Sequence, residues 1–120
     1  MTQPVINYYN PASGTSRAVL ALIREAGAEP HIIEYLKTPP DMATLVQLAE
    51  HAGGVRGLLR DKEPLCQELG LSSKQSTDAE LLAQMLAHPI LINRPIVVTP
   101  LGTKLCRPPE TVRTLLAKSE

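Results

Sequence analysis

Apolar residues fall along this chain in alternating rhythms, and the rhythms predict the order of its elements. Val5 to Tyr9 (VINYY) is a short strand-forming run ended by Asn10-Pro11. From Ser13-Gly14-Thr15-Ser16 onward the spacing lengthens. Val19, Leu22, Ile23 and Ala26 recur at i, i+3, i+4 and i+7, which predicts a helix with one apolar face, and Gly27 supplies the stop. His31 to Tyr35 (HIIEY) reads as a second strand. Strand, helix and strand in this order predict a βαβ unit with parallel strands.

Thr38-Pro39-Pro40-Asp41 opens the next helix, with Leu45, Leu48 and Ala49 on its buried face. Between Gly53 and Thr77, short helical pieces are separated by Gly, Pro and Ser. Thr77-Asp78-Ala79-Glu80 has the form of a capping box ahead of LLAQMLA. Ile96-Val97-Val98 is a buried strand, Gly102 lies in a turn, and Thr103 to Cys106 returns as the hairpin partner. Pro108 and Pro109 begin a last helix whose Val112, Leu115 and Leu116 point inward. The sum is an α/β chain with a thioredoxin-like sandwich and a helical insertion. It is expected to form one domain over residues 1–120, with neither repeats nor an internal linker.

Composition narrows the chemistry. A chain of 120 residues can bury a core without metals or disulfides. With no Phe, no Trp and three Tyr, that core must come from Leu, Ile, Val and Ala, and no aromatic platform is available for single-stranded nucleic acid. Twelve basic and 12 acidic side chains leave no basic excess for a duplex, so no nucleic-acid partner is expected. No basic segment followed by an apolar run marks a signal peptide, and no apolar stretch is long enough for a bilayer. A cytoplasmic protein without a membrane partner is the expectation. In a reducing cytosol Cys66 and Cys106, far apart in sequence, read as free thiols. Cys106 is expected to be a small buried apolar residue on the hairpin strand, and Cys66 to fall in the insertion at a place open to solvent. His31, His51 and His88 are scattered without metal-ligand spacing, and His88, ahead of Pro89, suits a structural cap.

Asn10-Pro11-Ala12-Ser13-Gly14-Thr15-Ser16-Arg17 is the stretch with chemistry in it. A helix start leaves backbone N–H groups unpaired at the positive end of the helix dipole. Gly14 allows close approach, and the hydroxyls of Ser13, Thr15 and Ser16 add donors, so the turn suits a tetrahedral oxyanion. A plain N-cap at Ser13 accounts for the same residues equally well.

This loop resembles the active-site loop of the glutaredoxin-coupled arsenate reductases, in which cysteine stands where this chain has Ser13. His88-Pro89-Ile90-Leu91-Ile92-Asn93-Arg94-Pro95-Ile96-Val97 resembles that family's late signature. Leu105-Cys106-Arg107-Pro108 and Val55 to Arg60 (VRGLLR) resemble two further segments, so the likeness runs along essentially the whole chain. It implies that arsenate is reduced to arsenite through a cysteine–arsenic adduct, with glutathione as the reducing co-substrate, glutaredoxin as the protein partner, and no bound cofactor or metal. It implies site roles for position 13 and for Arg60, Arg94 and Arg107, and a cis bond at Arg94-Pro95. The guanidinium assignment has a physical basis of its own, because arginine is always charged and grips oxyanions as a bidentate fork. Arg24, Arg56 and Arg113 are selected by no motif and read as surface charges.

Two positions depart from the resemblance. Ser13 has no thiolate and cannot take part in disulfide exchange, so this form is expected to bind the oxyanion and not reduce it. An engineered Cys→Ser change and a natural replacement in a non-catalytic or regulatory relative both stay open. Tyr9 stands where many members have histidine, and it is expected to pack against the loop without activating it.

Overall fold

The computed structural model describes residues 4–73 and 75–116. They form two compact units, one built from the residues up to Thr38 and from Arg94 onward, the other from Pro39–Asn93. In the first unit β1 (Ile6–Tyr9) leads through α1 (Gly14–Glu25) to β2 (His31–Glu34). β1 and β2 run parallel, with Ile6 opposite His31 and Tyr9 opposite Glu34, as the βαβ pattern predicts. β3 (Ile96–Thr99) lies antiparallel to β1, and β4 (Gly102–Leu105) is its hairpin partner, giving the sheet order β2-β1-β3-β4.

Val5, Val19, Ile23, Val97, Cys106, Val112 and Leu115 close into one apolar cluster between this sheet, α1 and the C-terminal turns. The helical spacing therefore places Val19 and Ile23 as expected. Ala26 is exposed instead, because the helix ends there and the chain turns away through Gly27 at φ +87°, a conformation glycine adopts freely.

Three local expectations change at the C-terminal end. β4 covers Gly102–Leu105, not 103–106, since Gly102 pairs with Thr99 and extends the ladder into the turn. Cys106 lies just past the strand, where its N–H donates to the Pro95 carbonyl at 2.9 Å. The last segment, Pro109–Leu115, is a 3₁₀ helix and not an α-helix. Its β-branched Thr111, Val112 and Thr114 disfavour α geometry, and the Thr114 hydroxyl donates to the Thr111 carbonyl at 2.8 Å. The buried Thr99 hydroxyl donates to the Leu115 carbonyl at 2.6 Å and ties this segment to the end of β3.

In the second unit Asp41 caps α2 (Met42–His51), accepting the Thr44 N–H at 2.8 Å. That bond holds the Asp41 carboxyl below its usual range. Two short helices follow, α3 (Val55–Leu58) and α4 (Pro64–Glu68), before α5 (Asp78–Ala87) starts on the predicted Thr77–Glu80 capping box. α2, α3 and α5 pack on one another with Leu45, Leu48, Leu58, Leu81 and Met85 buried. Gly57 permits this packing, because a Cβ there would collide with the Ala52 carbonyl oxygen at the end of α2. Cys66 is completely buried on α4, not open to solvent as its place in a polar insertion suggests, and its Sγ lies 3.8 Å from the Ser72 hydroxyl. His88 ends α5 through its backbone N–H, which donates to Gln84 at 2.8 Å; its side chain makes no capping bond.

One residue of the sheet opposes its surroundings. Asn7, between Ile32 and Val97 in the register, is 0% exposed, and neither its amide nitrogen nor its oxygen finds a partner among the described residues. A buried amide without hydrogen bonds costs free energy that an apolar side chain of similar size does not. Asn7→Val is expected to raise the unfolding free energy by about 1–2 kcal/mol, read as a higher urea midpoint at unchanged slope. Gly57→Ala is expected to lower it by about 2 kcal/mol in the same titration.

Candidate functional site

Every hydrogen bond of the loop between β1 and α1 serves to present the first turn of α1. Asn10, 2% exposed, takes three of them. Its side-chain oxygen accepts the Ala12 N–H at 2.9 Å, its carbonyl accepts the Ser13 N–H at 3.0 Å, and its own N–H donates to the Ser16 hydroxyl at 3.4 Å. Asn before Pro is a turn former through such side-chain bonds, and that signal is legible in the sequence although it assigned Asn10 no role. The exposed Arg17 reaches back over the loop, and its Nη1 donates to the Pro11 carbonyl at 2.8 Å.

Ser13 is the N-cap of α1, with extended backbone at φ −89° and ψ 123°, and its hydroxyl accepts the Ser16 N–H at 3.2 Å. The cap and the candidate oxyanion turn are built from the same residues. Capping uses the Ser16 N–H, and the Arg17 N–H closes the first helical bond to the Ser13 carbonyl at 3.0 Å. Among the described residues the N–H groups of Gly14 and Thr15 take no acceptor, and no acidic residue sits in the first turn to neutralise the dipole. Gly14 is exposed and adds no side chain over this end. Ser13, Gly14, Thr15 and Ser16 are thus brought together in a single turn.

Arg94 and Arg107 belong to the same unit. Arg94 is 9% exposed, and a guanidinium so far withdrawn from water favours an anionic neighbour. Arg107, exposed, donates from Nη1 to the Arg94 carbonyl at 3.0 Å, which joins the two arginine positions directly. The Arg94-Pro95 bond is cis, and so is Arg107-Pro108, which the sequence did not suggest. Arg60 lies in the second unit, just after the isolated bridge between Leu59 and Ile92. Its N–H donates to the Leu91 carbonyl at 2.7 Å, and its Nε stands 3.4 Å from a Glu63 carboxylate oxygen. The unselected arginines serve local structure at the surface. Arg24 pairs with Glu29 at 2.9 Å, and Arg56 donates to the carbonyls of Ser73 and Ser76 at 3.2 and 2.7 Å.

Both cysteines are buried and free. Burial pushes the Cys106 thiol up to about 12, with Lys104 pulling weakly the other way, so it carries no thiolate at neutral pH. Among the described residues no three His, Cys, Asp or Glu side chains gather where they could share a metal ion. No helix of the structure is long and apolar enough to cross a membrane.

A mixed four-stranded sheet that delivers a helix N-terminus from the end of its first parallel strand defines a thioredoxin-like α/β protein. The structure matches an arsenate reductase from Vibrio cholerae with a TM-score of 0.91 at 41% identity, covering 97% of this chain and 100% of that one. The chain belongs to the ArsC family, whose sequence profile matches residues 8–115. It is 54% identical over 114 residues to an arsenate reductase of Escherichia coli K12, covering 94% of this chain and 81% of that protein. To an arsenate reductase of Rhizobium meliloti it is 56% identical over 110 residues, covering 91% and 79%.

The Cys106 environment has a direct chemical consequence. In the folded protein at pH 8, a soluble thiol reagent is expected to leave Cys106 unmodified, and unfolding in urea is expected to expose it to stoichiometric labelling. Because the raised value belongs to the folded state alone, the unfolded chain loses this proton first as pH climbs. Stability is therefore expected to fall between about pH 9 and 12, and a Cys106→Val variant to lose that part of the decline.

Proposed function

We propose that this chain carries the arsenate site of a glutathione- and glutaredoxin-dependent arsenate reductase, with a serine in place of its nucleophile, so that it binds arsenate without reducing it. The observation that carries this reading is the start of α1. Ser13 occupies the cap, the Gly14 and Thr15 N–H groups take no acceptor among the described residues, and the first turn of α1 holds no carboxylate. The names of the ArsC relatives supply the reaction class.

In the proposed site, arsenate sets its oxygens on the Gly14 and Thr15 N–H groups, with the Thr15 and Ser16 hydroxyls beside them and the charges of Arg94 and Arg107, of the same unit, balancing its own. A cysteine at position 13 would inherit the bond that the Ser13 hydroxyl now accepts from the Ser16 N–H. With the helix dipole, that bond favours the thiolate. The thiolate would attack arsenic and expel water after proton uptake, forming a sulfur–arsenic bond. Glutathione would replace a second arsenic oxygen, which leaves as water, and a glutaredoxin thiolate would then remove the glutathione sulfur as a mixed disulfide. The two electrons that take arsenic from the +5 to the +3 state come from the two sulfurs that end in that disulfide, and arsenite leaves with hydrolysis of the remaining sulfur–arsenic bond. Dependence on reduced glutathione assigns this chemistry to the cytoplasm. A serine hydroxyl supplies neither the thiolate nor the first sulfur bond.

A second reading, a non-catalytic oxyanion-binding or regulatory relative, is favoured by Ser13 itself. Arsenite formation separates the two. With arsenate, glutathione and glutaredoxin, Ser13→Cys is expected to turn over while the unsubstituted chain yields no arsenite above background. Arsenite from the unsubstituted chain would overturn the inactive-form reading. Turnover by neither protein would leave the site as a binding site and give the second reading the lead.

A further inference from the structure

Arg17 ends the polar run at the start of α1, and the oxyanion turn described above leaves its charge without a role. It follows Gly14 by three residues, so the two share one face of α1. Helical side chains lean toward the N-terminus of their helix, and that of Arg17 does so. Its Nη1 donates to the Pro11 carbonyl at 2.8 Å, and its Nη2 lies 3.7 Å from the point where a Cβ on Gly14 would stand. The guanidinium is thereby placed over the open end of the helix, beside the Gly14 N–H that takes no acceptor among the described residues.

The bond to Pro11 uses one donor of the guanidinium, while Nη2 and Nε meet no acceptor among the described residues. Nor is the charge balanced there. The ion pairs of the described residues join Arg24 to Glu29, Lys37 to Glu34 and Arg60 to Glu63, and none includes Arg17. Arg24, on the same helix, shows the contrasting case of a surface arginine neutralised by a neighbouring carboxylate. Arg17 is exposed, so water solvates its charge until an anion arrives. Its side chain is already held at the Pro11 carbonyl, so less rotamer freedom remains to be lost on binding.

We propose that Arg17 is a further binding residue of the oxyanion turn: its guanidinium, held by Pro11 over Gly14, donates through Nη2 to an oxygen of the anion carried on the Gly14 and Thr15 N–H groups. The inference rests on the oxyanion reading of this turn given above. Every group it uses lies in the unit that holds β1 and α1. Two roles for Arg17 compete. A staple to Pro11 would act through the shape of the loop and be indifferent to charge. A binding residue acts through its charge, a few ångströms from a doubly charged ligand, where Coulomb attraction persists in water and salt screens it only in part. The unmet donors and the missing carboxylate partner favour the second role, since a staple needs neither. A lysine would keep the charge and lose the planar fork, so it replaces Arg17 only in part.

Titration calorimetry with sodium arsenate on the full chain tests this. Arg17→Gln, which removes the charge and keeps a side-chain N–H, is expected to weaken arsenate binding by roughly 3- to 10-fold. Arg17→Lys, which keeps the charge, is expected to lose less than Arg17→Gln. Arg24→Gln removes the same charge further along the same helix and is expected to leave the affinity unchanged. Unchanged affinity in Arg17→Gln overturns the inference alone. Equal weakening by Arg17→Gln and Arg24→Gln overturns it in favour of net charge acting at a distance. Equal weakening by Arg17→Lys and Arg17→Gln overturns it in favour of the staple. No arsenate binding by the unsubstituted chain overturns the oxyanion turn itself, and this inference with it.

Discussion

A helix that begins where a strand ends has N–H groups that the strand cannot satisfy, and the site in this protein follows from how those groups are divided. Ser13 and the first helical bond absorb the N–H groups of Ser16 and Arg17. Asn10 absorbs those of Ala12 and Ser13. What is left over, at Gly14 and Thr15, lies at the positive end of a 12-residue helix with no carboxylate in its first turn. The loop cannot relax to cover them, because Asn10 is buried and bonded through its backbone and its side chain together. The surrounding βαβ packing holds this arrangement in place, with Val19 and Ile23 fixing α1 on the sheet that carries β1.

Much of this was legible in residue order. Local signals with a physical cause survived: the apolar period of α1 as far as Ile23, the Thr77–Glu80 capping box, and the strand–helix–strand order that demands a parallel pair. Failures came where segments are short and specific pairing decides. Gly102 reads as turn, but pairing with Thr99 makes it strand. The last segment reads as α-helix from its prolines and inward apolar residues, yet side-chain hydroxyls and β-branching settle it as 3₁₀. The burial of Cys66 was hidden because a helix of five residues is too short to show a face. The pairing of Arg60 with Glu63 depends on a turn that no periodicity reports.

Asn7 shows the limit of reading polarity alone. A polar residue inside a short apolar strand is usually taken as facing solvent, but β1 lies between β2 and β3, and the register sets Asn7 beside Val97 over the apolar cluster. No catalytic group in the described structure bonds to it. Its cost therefore falls on stability, separately from the loop three residues further on, whose geometry is held by its own bonds.

The same separation bears on Ser13. The groups suited to recognising an oxyanion are backbone N–H donors and guanidiniums, and none of them depends on which atom stands at the tip of residue 13. Serine and cysteine side chains differ there by one atom, oxygen or sulfur, and either can accept the Ser16 N–H that the cap requires. The cap is therefore indifferent to which of the two stands at position 13, while thiol chemistry is wholly sensitive to it. Under the proposed function a chain keeps its recognition groups and loses the reaction in a single step, so the N–H groups of Gly14 and Thr15 bear on what is bound, and the side chain at position 13 bears on what happens next.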